Sequence, residues 1–303
     1  MIRILATDGI DKAAAGMLAD AGAEVVQQFY ETEELIQKVR EFDVLVVRSA
    51  TKVREPVIDA AVEGGRLKLI IRGGVGMDNI DVAYARERGI TVANTPSASS
   101  ASVAELAIAH MFALARFLYI SNVTMREGKW EKKAYKGTEI SGKTLGLIGF
   151  GRIAKEVAKR ADALGMEVLY TNRSGKKEDV PYTYVTLDEL LSRSDYVSLH
   201  MPAAKDTPPL IDAAAIAKMK DGAFLINTAR GVLVDEEALL DALDSGKLAG
   251  AGLDVFPKEP AENERLLHNP KVSLTPHIGA STREAQKRIG EETVSIIRAH
   301  FGL

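Results

Sequence analysis

The segment Lys143-Thr144-Leu145-Gly146-Leu147-Ile148-Gly149-Phe150-Gly151-Arg152-Ile153-Ala154 reads as a β-strand, a glycine turn and the first turn of a helix. Its apolar run suits a strand buried on both faces. The pattern is G-x-G-x-x-A. Gly149 allows the tight turn, and Gly151 lets the backbone approach a pyrophosphate that the helix N-terminus attracts. Ala154 permits close packing of helix on strand. Such glycines also occur in ordinary strand–helix turns. The strand before them and the helix after them favour a phosphate cradle here, with Gly149, Gly151, Arg152 and Ile153 as candidate contacts.

The next strand, Glu167–Thr171, should end in the residue that reads the adenosine ribose, about 20 residues past the glycines. It runs into Asn172-Arg173-Ser174, with Lys176 and Lys177 following and no acid before Glu178. A carboxylate there binds the ribose 2′-hydroxyl and repels a 2′-phosphate. Asn172 and Arg173 instead offer donors to that phosphate. The expected cofactor is therefore NAD(P), with NADPH accepted. The plainer alternative is a solvated basic turn that leaves NADH binding adequate.

Outward from this unit, β-branched runs alternate with helical patterns along the whole chain. Ile2–Thr7, Glu24–Phe29, Asp43–Arg48, Leu67–Arg72 and Ile90–Asn94 read as strands on the N-terminal side. Tyr196–His200, Ala223–Asn227, Gly250–Val255 and Val272–Thr275 follow the cradle. Helices are expected at 11–21, 33–40, 56–62, 153–164, 187–192, 213–219, 235–244 and 282–301, with one long helical segment at 99–127. This alternation predicts an α/β fold with two doubly wound parallel-sheet domains.

The 303 residues suit about two domains. Hydrophobic residues at 46% and charged residues at 27% match an ordinary globular protein. Lys and Arg number 39 against 42 Asp and Glu, a net charge of −3 that offers no basic excess for nucleic acid. Without cysteine there is no disulfide framework, thiolate metal site or cysteine nucleophile. The five histidines lack metal-type spacing, so no metal is expected. Glu105, His110 and Arg116 interrupt the longest apolar stretch, which makes it a poor membrane span. No targeting segment is recognisable, and the cytoplasm is the simplest location. His110 reads as a core or interface polar group, and His268 and His300 as surface.

Three further strand ends carry polar groups: Asn227-Thr228-Ala229-Arg230, Asp254 through Glu259, and Thr275-Pro276-His277-Ile278-Gly279. Ligands of open α/β sheets bind at the carboxyl ends of strands. Hydride transfer to a ketone leaves an alkoxide that needs a proton, and histidine is a fit donor. A neighbouring carboxylate would orient the ring, and an arginine fork would hold a substrate carboxylate. Taken singly, each of these residues reads more simply as structural.

In combination, the glycine cradle, Asn227-Thr-Ala-Arg-Gly-Val-Leu-Val-Asp-Glu-Glu-Ala-Leu239, Ala251-Gly-Leu-Asp-Val-Phe-Pro-Lys-Glu-Pro260 and Leu274-Thr-Pro-His-Ile-Gly-Ala-Ser-Thr282 resemble the D-isomer-specific 2-hydroxyacid dehydrogenases over essentially the whole chain. The resemblance implies reversible oxidation of a D-2-hydroxy acid to a 2-keto acid. By it, Arg230 binds the substrate's carboxylate and carbonyl, His277 is the acid–base group and Glu259 pairs with His277. Met201 and Pro202 border the cofactor and Asp254 sits near the nicotinamide, while Thr228 and Gly279 complete the cofactor contacts. It also implies a Rossmann cofactor domain at 95–280, inserted into a flavodoxin-like substrate domain of 1–94 plus 281–303, and a homodimer. Asp206-Thr207-Pro208-Pro209 departs from the family pattern by placing two prolines in a loop.

Val47-Arg48-Ser49-Ala50-Thr51-Lys52 and Pro276–Gln286 look like the phosphoglycerate dehydrogenase branch of that family, and Gly128–Lys133 points the same way. A phosphorylated substrate needs cations and hydroxyls, which Arg48, Ser49, Thr51 and Arg72 provide at neighbouring strand ends. Gly73 and Gly74 are expected to present amides to a carboxylate. The plainer alternative for both arginines is surface pairing. Trp130 reads as an interface residue, with Lys132 and Lys133 within reach of a neighbouring subunit's phosphate. The runner-up is a glyoxylate or hydroxypyruvate reductase. Readings of other classes are a dinucleotide-sensing regulator and a transferase that uses the cradle for another cofactor. With the chain stopping at Leu303, no serine-binding regulatory domain is expected.

Overall fold

The computed structural model describes residues 1–203 and 207–303, so Asp206 of the proline-bearing loop lies outside the described residues. The chain folds as two compact units. One comprises Met1–Ser99 with Ala280–Leu303, the other Ser100–Gly279.

The first unit holds strands β1 (Arg3–Ala6), β2 (Glu24–Gln27), β3 (Val44–Val47), β4 (Leu69–Arg72) and β5 (Thr91–Asn94). They form a parallel sheet in the order β2-β1-β3-β4-β5, the flavodoxin-like arrangement. Val44–Val47 are all buried, which explains the unbroken apolar run: helices cover both faces. Those helices are α1 (Lys12–Asp20), α2 (Thr32–Lys38), α3 (Glu55–Gly64) and α4 (Val82–Glu87), and the C-terminal helix Arg283–Phe301 joins them. Asp11 starts α1 by accepting the Ala13 and Ala14 amides. At Gly290 a Cβ would stand 2.7 Å from the Ala14 Cβ, so glycine lets the C-terminal helix lie close on α1. The unit extends past Asn94 because Thr95 donates its amide to Gly74, and Arg288 donates to the Ala98 carbonyl.

In the second unit lie β6 (Thr144–Ile148), β7 (Glu167–Thr171), β8 (Thr183–Tyr184), β9 (Tyr196–Leu199), β10 (Ala223–Asn227), β11 (Leu248–Leu253) and β12 (Val272–Leu274). The order is β12-β11-β10-β9-β6-β7-β8, all parallel. β6 stands in the middle with β7 on one side and β9 on the other. This Rossmann topology opens a crevice at the carboxyl ends, where the strand order reverses. Its helices are α5 (Ser100–Ala115), α6 (Leu118–Arg126), α7 (Arg152–Ala163), α8 (Leu187–Arg193), α9 (Ala213–Lys218), α10 (Glu236–Ser245) and α11 (Glu264–Leu267). The C-terminal helix of the first unit is α12.

The expected single helix over 99–127 is instead two, α5 and α6, bent by 64° at a break where Phe117 takes φ 54°. No single helix among the described residues is long and apolar enough to cross a membrane.

Candidate active site

The glycine turn after β6 has the geometry of a phosphate cradle. Gly149 takes φ 85°, and a Cβ there would stand 2.6 Å from the His200 carbonyl oxygen. Gly151 borders open space and is the N-cap of α7, which no side chain caps. The first amides of that helix therefore face outward, as a bound anion requires. Met201 lies beside the turn, its Cβ 3.1 Å from the same Gly149 position, with Pro202 next to it in the chain. Thr228, 8% exposed, keeps its hydroxyl without a hydrogen-bond partner among the described residues. An open glycine turn, uncapped amides and an orphaned hydroxyl fit a nicotinamide dinucleotide.

After β7, the Gly175 amide donates to the Asn172 carbonyl and closes a tight turn. Asn172 Nδ2 and Lys177 Nζ both donate to Ser174 Oγ, at 2.7 and 2.8 Å. The Arg173 side chain is exposed.

Three loops of the same unit carry the proposed chemistry. His277 Nδ1 lies 2.7 Å from Glu259 Oε2, with both side chains about one-third exposed (31% and 36%). Burial alone would raise the Glu259 pKa. The hydrogen bond and charge of His277, the Phe256 amide and the nearby Arg230 outweigh it and hold the carboxyl below its usual range. His277 takes φ 53°, an uncommon backbone state for this residue type that its surroundings must enforce. Asp254 supplies part of that enforcement by accepting the Ile278 and Gly279 amides at 2.8 and 2.9 Å. Arg230 leaves β10 through a loop that Asn227 latches: its Nδ2 donates to the Arg230 carbonyl and its Oδ1 accepts the Ala229 amide. Gly231 passes under the Phe256–Pro257 peptide, where a Cβ would collide with the Phe256 carbonyl carbon at 1.9 Å. That close passage ties the Arg230 loop to the segment that carries Glu259.

The first unit positions Arg48 by a device that sequence reading missed. Asp8 accepts the Arg48 and Thr51 amides, at 2.6 and 3.1 Å, and Asn79 Nδ2 donates to both their carbonyls at 2.7 Å. Thr51 is a correction. It is 4% exposed, and its hydroxyl donates to Asp8 Oδ1, so it braces the loop instead of facing a ligand. Ser49 remains exposed. A second correction concerns the glycines. The Gly73 amide donates to the Val47 carbonyl and the Gly74 amide to the Arg72 carbonyl, so both amides are already engaged within the protein. The Arg72 guanidinium folds over Gly74, where a Cβ would fall 1.4 Å from Nη1.

Arg48 also lines a cleft of about 600 Å³ with Ser281, Thr282, Arg283, Lys287 and Asp11. The Arg48 and Arg283 guanidinium groups make no ion pair among the described residues, and Lys287 lies 3.9 Å from Glu291. The N-terminus of the 19-residue α12 opens into the same cleft.

Residues 108–279 match the model of the D-isomer-specific 2-hydroxyacid dehydrogenase NAD-binding domain. The chain belongs to the D-isomer-specific 2-hydroxyacid dehydrogenase family. Members of the family are NAD(P)-dependent oxidoreductases. This dehydrogenase is 50% identical to the hydroxypyruvate reductase of Thermotoga maritima, over 99% of either chain. It is 45% identical to the D-3-phosphoglycerate dehydrogenase of Methanocaldococcus jannaschii over 96% of its own length, and spans 56% of that relative. An NADPH-dependent glyoxylate/hydroxypyruvate reductase from Sinorhizobium meliloti, solved with NADP and malonate, superposes with a TM-score of 0.87 at 31% identity. That match covers 99% of this chain and 93% of the reductase.

Proposed function

We propose that this dehydrogenase interconverts 3-phosphohydroxypyruvate and D-3-phosphoglycerate with NAD(P)H. The observation that carries the substrate is the cationic cleft of the first unit. Arg48, Arg283 and the α12 N-terminus supply the charge and donors that a phosphate needs. In this proposal the unit of Met1–Ser99 with Ala280–Leu303 is the substrate domain, and Ser100–Gly279 holds the cofactor.

When bound, the cofactor supplies or accepts a hydride. Gly149, Gly151, Arg152 and Ile153 would hold its pyrophosphate, and Met201, Pro202, Thr228, Asp254 and Gly279 would line the rest of its site. Arg230 would engage the carboxylate and the ketone oxygen, so that charge developing on that oxygen meets a guanidinium. His277 would then give its proton to the nascent alkoxide. With Glu259 on Nδ1, the ring is oriented to use Nε2 and is stabilised while protonated. In the oxidative direction the same ring removes the hydroxyl proton.

The proposal extends to cofactor choice. Asn172, Arg173 and Lys177 are donors where a carboxylate would exclude NADPH. It also extends to a homodimer. α6 exposes Leu118, Val123 and Met125, and Trp130 is 77% exposed, an apolar face suited to a second copy. Light scattering is expected to give twice the 32.7 kDa chain mass. The proposed location is the cytoplasm.

The full-length match to a hydroxypyruvate reductase favours a second reading, in which the substrate is hydroxypyruvate or glyoxylate without phosphate. A grid of phosphohydroxypyruvate, hydroxypyruvate, glyoxylate and pyruvate against NADH and NADPH, read as kcat/KM, separates the two. The first reading expects phosphohydroxypyruvate to lead. Equal or higher kcat/KM for hydroxypyruvate supports the second, and cofactor binding without turnover would point to a dinucleotide-sensing regulator.

A further inference from the structure

By sequence, His110 is a core or interface polar group on an apolar helix. The fold gives it specific partners. The ring is 2% exposed, with Nδ1 3.0 Å from Ser273 Oγ and Nε2 3.1 Å from Thr275 Oγ1. Thr275 Oγ1 in turn lies 2.6 Å from Asp254 Oδ1. Asp254 is 1% exposed and accepts the amides of Ile278 and Gly279, the two residues after His277.

We propose that His110 is a positioning residue for the acid–base loop, acting through Thr275 and Asp254. The proposal rests on the reading of His277 as the acid–base group.

Proton placement along the chain has one consistent solution. Asp254 receives only donors, as a carboxylate does. The single Thr275 hydroxyl proton therefore points to Asp254. Thr275 Oγ1 must then accept from His110, which requires the proton on Nε2. Nδ1 is left as the acceptor of the Ser273 hydroxyl. Burial lowers the His110 pKa, and the Asp254 charge offsets this only partly, so the ring is neutral near pH 7 and keeps this tautomer. The result is a directed chain: Ser273 to His110, His110 to Thr275, Thr275 to Asp254.

The backbone makes room for it. At Gly252 on β11, a Cβ would stand 2.7 Å from the His110 Cβ and 2.9 Å from its Cγ. Glycine there lets the imidazole lie against the strand that delivers Asp254. The function of the chain follows from its end. Ile278 and Gly279 fix the exit of a loop in which His277 holds φ 53°. Losing the His110 donor frees the Thr275 hydroxyl to turn from Asp254, and the His277 ring loses its fixed approach.

The test compares His110→Leu, which removes the donor, with His110→Gln, which can return one at the Nε2 position. His110→Leu is expected to lower kcat for 2-keto acid reduction at saturating cofactor by about tenfold. Hydrogen exchange at the Ile278 and Gly279 amides should speed up by about tenfold. His110→Gln should recover most of both. Should His110→Leu fail to fold, Thr275→Val breaks the chain at its next link and is expected to give the same pair of effects. Wild-type kcat and exchange in the folded variant would overturn the proposal. So would equal losses in Leu and Gln variants. His277→Asn runs alongside: if it retains turnover, the acid–base reading fails and the relay with it. If it is inactive while His110→Leu is normal, the relay alone fails.

Discussion

Replacing Glu259 probes the charge behind His277, the proposed acid–base group. Glu259 Oε2 lies 2.7 Å from His277 Nδ1, and Phe256 fixes its other oxygen through an amide 3.2 Å away. A hydrogen bond to a charged partner is worth about 1.5–3 kcal/mol and a neutral one about 0.5–1.5 kcal/mol. The pair is about one-third exposed, which favours the lower end of each range. Glu259→Gln keeps an acceptor and loses the charge, a difference of about 1 kcal/mol, or roughly fivefold in kcat. Glu259→Ala loses charge, acceptor and ring orientation. About 2 kcal/mol of transition-state stabilisation corresponds to roughly a thirtyfold fall. The assay is NADPH oxidation at 340 nm with saturating cofactor and 2-keto acid. A Glu259→Ala enzyme within about twofold of wild type would show that His277 works without the Glu259 charge.

Other changes test separate parts of the site. Arg48→Ala is expected to raise KM for phosphohydroxypyruvate by at least about tenfold and leave hydroxypyruvate kinetics within about twofold, because it removes from the cleft a cation that makes no ion pair among the described residues. Asn172→Asp should shift the ratio of kcat/KM for NADPH to that for NADH by at least about tenfold toward NADH, through repulsion of the 2′-phosphate. Gly149→Ala should weaken cofactor binding by about tenfold or more in a fluorescence titration, since its Cβ meets the His200 carbonyl oxygen at 2.6 Å. Burial pushes the His200 pKa down to about 4 from 6.5. An unfolded chain therefore takes a proton there before the folded one does, and stability falls as pH drops from about 6.5 to about 4, by up to roughly 3 kcal/mol. Urea unfolding across that range should show the slope, and His200→Gln should flatten it.

The features legible in the sequence were those with local causes. The fully buried Val44–Val47 run and the glycine turn at Gly149–Gly151 announce parallel strands and a cradle through residue type alone. His277, Glu259 and Arg230 were found through their motif contexts, and the fold brings His277 and Glu259 into contact. Features with distant causes stayed hidden. The apolar pattern resumes directly after Arg116 and no Gly or Pro stands near Phe117, so nothing marked the 64° bend between α5 and α6. The Asp8 clamp on the Arg48 loop joins residues 40 positions apart, and the His110–Thr275 bond joins residues 165 apart. Thr51 looked like a phosphate ligand because hydroxyl chemistry is visible in a sequence, whereas the burial that commits it to Asp8 is not. Gly73 misled for the same reason: its amide's partner, the Val47 carbonyl, belongs to the neighbouring strand.

The central claim is stereospecific reduction of a phosphorylated 2-keto acid by this chain. The most direct measurement is turnover of phosphohydroxypyruvate with NADH and NADPH at 340 nm, followed by chiral analysis of the product. Steady oxidation of the cofactor and formation of D-3-phosphoglycerate alone are expected. No oxidation above the enzyme-free rate with either cofactor, or an L or racemic product, would contradict it.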